Sequence, residues 1–134
     1  MSNLFLSLIL LLSTPLQNSV EAPAENQLIV VVNTADWCPV CQKNGPRVEK
    51  ELLSAFMKND AYTIVINNLS TDDTKAAAQK ELEALGLNSF TEEHKGTGKI
   101  YFIHPETMEL IDDISVRKST EKIKMAFEEA LASL

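Results

Sequence analysis

"LIVVVNTADWCPVC", residues 28–41, sets a run of apolar, mostly β-branched residues directly before two cysteines that stand two residues apart. From Gln27 to Asn33 the run is continuous rather than alternating, which predicts a strand buried on both faces. Thr34-Ala35-Asp36-Trp37 reads as a short loop. Pro39 fits the first position of a helix, where its missing N–H costs nothing. The cysteine pair therefore falls at the carboxyl end of a strand and the amino end of a helix. Cys38 and Cys41 are the only cysteines in the chain.

Downstream, Val48, Leu52 and Phe56 recur at four-residue spacing, with Leu53 widening the stripe, so the helix is expected to run from Pro39 to about Met57. Gly45-Pro46 lies inside it and predicts a kink there. "YTIVIN" (62–67) is a second buried strand. Thr71 is placed to cap a helix with acids in its first turn, and Gly86 to close it. Residues 87–98, "LNSFTEEHKGTG", read as a long polar loop. "KIYFIH" (99–104) and "MELIDDI" (108–114) form a hairpin around Pro105-Glu106-Thr107. Ser119 or Thr120 opens a last helix whose face carries Ile123, Ala126, Phe127, Ala130, Leu131 and Leu134. The order β-α-β-α-β-β-α implies an α/β fold. Its four-stranded mixed sheet pairs a parallel crossover with an antiparallel hairpin and carries helices on both faces.

Upstream, Leu4–Leu12 is an apolar run of signal-peptide size, too short to span a membrane. Ala22-Pro23-Ala24 matches a small-x-small cleavage pattern. Residues 1–24 are thus expected to be a removed leader, and residues 25–134 one exported, periplasmic or secreted domain. The alternative is a buried N-terminal helix, since no Lys or Arg precedes the run. Export favours persistent disulfides, but a staple closing so short a loop stabilises little. The pair therefore points to chemistry. A net charge of −7 argues against nucleic acid, and the dispersed acids read as a solvated surface.

The strand "LIVVVN", the stretch Trp37-Cys38-Pro39-Val40-Cys41, Pro46 five residues past the second cysteine and the trailing β-β-α together resemble the thioredoxin family. The resemblance covers about residues 28–134, in the smaller version of the fold that lacks the first strand and helix. It implies thiol–disulfide exchange with cysteine-containing protein substrates and a redox partner protein, by a monomer without cofactor or metal. Two positions depart from it. A buried Asp of the family corresponds here to Val32, and its cis-proline to Gly98, after Thr97. Weaker or specialised activity is the expected consequence.

The i, i+3 spacing at a helix start brings the two sulfurs onto one face. Cys38 faces unpaired N–H groups and the positive end of the helix dipole, which favour its thiolate. It is expected to be the exposed nucleophile, with Cys41, one turn inward, as the resolving thiol. Asp36 would oppose the thiolate if turned inward, while Lys43 or Lys95 would support it. Trp37, Pro39 and Val40 on one side, and the main chain of Thr97 and Gly98 on the other, form the expected substrate contact. Trp37 reads equally well as a half-buried core residue, and Thr97-Gly98 as a mobile loop end. Two other functions stay open. One is a non-catalytic binding or chaperone-type module with a passive disulfide. The other is a Cys₂His₂ metal site drawing on His94 and His104.

Overall fold

A strand with no polar face has to be interior, and Leu28–Thr34 (β1) is: Leu28 to Val31 are completely buried. In the computed structural model, which describes residues 27–134, β1 lies second in a sheet of order β2-β1-β3-β4. It pairs in parallel with β2 (Tyr62–Asn68) and antiparallel with β3 (Lys99–Ile103), which pairs antiparallel with β4 (Leu110–Ser115). The expected leader and its cleavage point fall outside the described residues. No helix among the described residues is long and apolar enough to cross a membrane.

Successive residues of β1 serve opposite faces. Leu28, Val30 and Val32 join Ile100 and Phe102 under α1 (Pro39–Val48) and α5 (Thr120–Ala132), which contribute Val48, Ile123, Phe127 and Ala130. On this face Phe127 stacks on Phe56 at 4.3 Å and meets Phe102 and Tyr62 edge-on. Ile29 and Val31 join Val65, Tyr101 and Ile103 on the other face, below Leu82 of α3 (Asp72–Ala84) and Phe90 of α4 (Phe90–Glu93). Fully burying each such side chain contributes about 1.5–3 kcal/mol. The four-stranded mixed sheet with helices on both faces is as the sequence predicts.

The caps follow local chemistry. Thr71 accepts a hydrogen bond from the Thr74 N–H, and the Thr74 hydroxyl accepts one from the Thr71 N–H, closing a capping box. Gly86 ends α3 with φ +82°. Ser119, rather than Thr120, caps α5.

Three expectations need correction. The helix expected to run to about Met57 is not α-helical throughout: it continues past Gly45 and Pro46, the latter without an N–H to donate, and a π-turn comes three residues later. This turn spans Glu49–Leu53, where the Ser54 N–H reaches the Glu49 carbonyl, followed by one turn, α2 (Ser54–Phe56). The wider turn buries the adjacent Leu52 and Leu53 together. Residues 87–98 are not simply a polar loop, because Leu87 and Phe90 are buried and nucleate α4. Two apolar residues three apart, outside any strand or long helix, gave no readable period. Leu134, expected on the buried face of α5, lies beyond its last turn and is exposed.

Candidate functional site

The site is built where β1 runs out. The Thr34 carbonyl accepts the Leu69 N–H at 2.8 Å, and the Asp36 N–H donates to the Ser70 hydroxyl at 2.8 Å. The Gln42 amide donates to the Asp36 carbonyl. The loop is thus tied to the end of β2 and to α1 before the first cysteine is reached.

Cys38 is the N-cap of α1, in extended conformation, with Pro39 beginning the helix. Its Sγ accepts the Cys41 N–H at 3.3 Å, the geometry in which a helix start stabilises a negative sulfur. Cys38 and Cys41 form a disulfide, their Cα atoms 5.2 Å apart. No acidic residue occupies the first turn of α1 to oppose a thiolate. Asp36 is exposed, and it is its main chain that joins the loop's hydrogen bonds. Lys43 and Lys95 are also exposed, and the one ion pair among the described residues is Lys99–Asp113.

The expectation that Cys38 is exposed and Cys41 sits farther in is not met. Both are buried, Cys38 at 3% and Cys41 at 7% exposure. Ala35 and Leu69 pack with the two sulfur-bearing residues, and Val40 closes against them. Trp37 is not a half-buried core residue. It stands 58% exposed beside the disulfide as an open apolar plate. Pro39 is exposed and Val40 half-buried.

Gly98 meets the cysteine loop from the opposite side. A Cβ at this position would lie 3.1 Å from Val40 Cγ1, and the backbone has φ +72°. The Gly98 N–H donates to the Asn33 carbonyl at 2.8 Å, and its carbonyl accepts the Val116 N–H at 3.0 Å. Proline fits none of this: it has no N–H, and its φ is fixed near −65°. No cis peptide bond occurs among the described residues. The expectation that Gly98 offers main-chain groups to a peptide is therefore wrong, because both are already used. Thr97 differs. Neither its N–H nor its carbonyl has a partner among the described residues.

Beneath Cys41 lies a cavity of about 300 Å³ whose walls include Val32, Ile66, Pro46 and Gly98. Val32, at the position the resemblance assigns to a buried acid, puts an alkyl side chain on this wall, which also includes Asn33, Thr34 and Glu49. The two histidines do not converge on the sulfurs. His94 packs against Phe90 and Tyr101, while His104 follows the far end of β3, its Nδ1 accepting the Glu106 N–H. Six steps of extended chain put it about 20 Å from Gly98, so the Cys₂His₂ set is not assembled. No group of three metal-ligating side chains occurs among the described residues.

Two features went unseen in the sequence. Asn33 and Asn67 are the buried polar residues of the core and face each other across the parallel pair. The available signal was that both apolar runs, "VVVN" and "IVIN", end in asparagine. Arg47 of α1 donates to the Val116 and Lys118 carbonyls and to the Thr120 hydroxyl, at 2.8, 3.0 and 2.8 Å, and so fixes α1 against the start of α5. Nothing in its spacing marked it.

No protein-family model matches the chain, and no curated protein matches it. Solved structures do. A "putative protein disulfide isomerase" from Bacteroides thetaiotaomicron is similar at 17% identity and a TM-score of 0.53, over 81% of this chain and 76% of that one. Trxlp from Edwardsiella tarda is 20% identical over 78% of this chain and 84% of its own, with a TM-score of 0.49. A thioredoxin from Wuchereria bancrofti is 17% identical over 81% and 85%, also at 0.49. Sheet order, helix placement and the first of these likenesses agree: the chain has a thioredoxin-like fold.

Proposed function

We propose that the protein is a thiol–disulfide oxidoreductase acting on protein disulfides through Cys38 and Cys41. The observation that carries this reading is the Cys38 sulfur capping α1 while it is bonded to its i+3 partner. Interaction with the helix terminus favours the thiolate by up to about 2 kcal/mol, and the thiolate is the nucleophile.

In the reduced protein, the Cys38 thiolate attacks one sulfur of a substrate disulfide. A Cys38–substrate bond forms, the substrate S–S bond breaks, and the first substrate thiolate leaves and takes up a proton. Cys41 then loses its proton and attacks Cys38 Sγ. This closes the Cys38–Cys41 disulfide and expels the second substrate thiolate, so two electrons pass to the substrate. A dithiol partner protein restores the reduced state, and the same steps reversed would deliver a disulfide. Trp37, Pro39 and Val40 offer the apolar contact, and the main chain of Thr97, unpaired among the described residues, the polar one. An exported, monomeric protein is the setting that the sequence motivates.

The burial of both sulfurs favours a second reading, a binding module whose disulfide is passive. Replacement of Cys38 by Ser separates the two. Reduction of a protein disulfide such as that of insulin should disappear, and a variant that turns over like the parent would remove Cys38 from the chemistry. The passive reading instead expects Cys38 to be alkylated with the pH dependence of a free thiol.

A further inference from the structure

Asparagine is costly in a core, because each buried amide loses its hydration unless every polar atom is paired. Asn33 and Asn67, at 0% and 1% exposure, are joined to each other, and no fully buried side-chain polar atom among the described residues is left without a partner. Asn33 Oδ1 accepts from Asn67 Nδ2 at 2.9 Å. The Asn33 amide donates to the carbonyls of His94 and Gly96, at 2.8 and 3.2 Å. Its main-chain carbonyl takes the Gly98 N–H at 2.8 Å. One residue of β1 thus holds alternate residues 94, 96 and 98, and between the last two the main chain of Thr97 has no partner among the described residues, as that of Lys95 has none between the first two. The segment contains two glycines and no proline, so its own chain restrains it weakly.

We propose that Asn33, backed by Asn67, is the positioning residue for the substrate-docking strand. By fixing His94, Gly96 and Gly98 it holds the N–H and carbonyl of Thr97 beside the Cys38–Cys41 pair, where an extended peptide bearing a disulfide pairs with them. This rests on the oxidoreductase reading given above. It assigns to a buried amide pair the restraint that Gly98 does not provide. A purely stabilising role is the competing account, and an aliphatic pair on adjacent strands would serve that role without unpaired amides.

The test compares the full-length protein with Asn33→Ala and Asn67→Ala, using a peptide disulfide as substrate and reading KM, kcat and the reduction potential of the cysteine couple. If the loop is held in its docking-competent form only one tenth of the time, KM rises about tenfold. That rise is expected for Asn33→Ala, with kcat and potential unchanged. A smaller rise is expected for Asn67→Ala, which leaves the bonds to the loop carbonyls intact. A KM within twofold of the parent in both variants overturns the proposal. So does a joint fall of kcat with a shifted potential, which would mark a general structural effect. If Asn33→Ala does not fold, Asn67→Ala decides by the same criteria. An active parent with unchanged variants defeats this inference alone, whereas a parent without turnover defeats the functional reading and this inference with it.

Discussion

The two faces of the sheet are built from alternate residues of the same strands, yet they do different work. Below α1 and α5, Phe56, Tyr62, Phe102 and Phe127 form a continuous aromatic core. Below α3 and α4, the aromatic group is Phe90, His94 and Tyr101, and it ends against the Asn33–Asn67 pair and the carbonyls of the segment before β3. The first face is apolar throughout and supplies cohesion. The second gives up some apolar contact for directional hydrogen bonds, and those bonds fix where residues 94–98 lie. Cohesion and placement are separable here because β1 alternates between them.

Breaking the first face should have the largest effect. Phe127 is fully buried and touches three other rings, so Phe127→Ala is expected to cost about 3–5 kcal/mol. Urea denaturation measures that loss, and turnover per folded molecule should stay near the parent's. Gly98→Ala probes the junction of the faces with a smaller penalty. Its positive φ costs a side chain about 1–2 kcal/mol, and the new Cβ would press on Val40. The same denaturation measurement should show that loss, and Val40 should shift away from residue 98.

The smallest effect concerns the tyrosines, one on each face. Burial pushes the Tyr62 hydroxyl above its ordinary value of 10.0, and Glu128 adds to the rise. Burial also raises Tyr101, with Lys99 opposing the shift and Asp113 reinforcing it. In both, the folded state holds the proton more tightly than the unfolded one. The associated stability is fully present below pH about 10 and is lost as pH rises through the higher folded values. Ultraviolet titration should therefore find neither tyrosine ionising at the free value before the fold loosens.

Much of this was legible because strand β1 has no polar face and stands next to Pro39. The strand–loop–helix junction and the location of both cysteines follow from that, whereas the order of strands within the sheet does not. Leu69 was not legible as the residue that covers the sulfurs, because its role depends on the parallel pairing of β1 with β2. The role of Gly98 was misread for a related reason. Its N–H and carbonyl are consumed by Asn33 and Val116, residues 65 and 18 positions away in the chain, and pairings over such distances leave no local pattern. The π-turn, too, left no signal in the sequence: it spans Glu49–Leu53, where Leu52 and Leu53 are both buried.

The engagement of Gly98 on both sides has a consequence for selectivity. Under the proposed docking, a peptide laid along this edge would find only the few main-chain groups of residues 95–97 left unpaired among the described residues before the chain turns back into the sheet. So brief a frame cannot read a sequence. Discrimination among partners would then fall to the shape and polarity of whatever side chain comes to rest on the indole of Trp37.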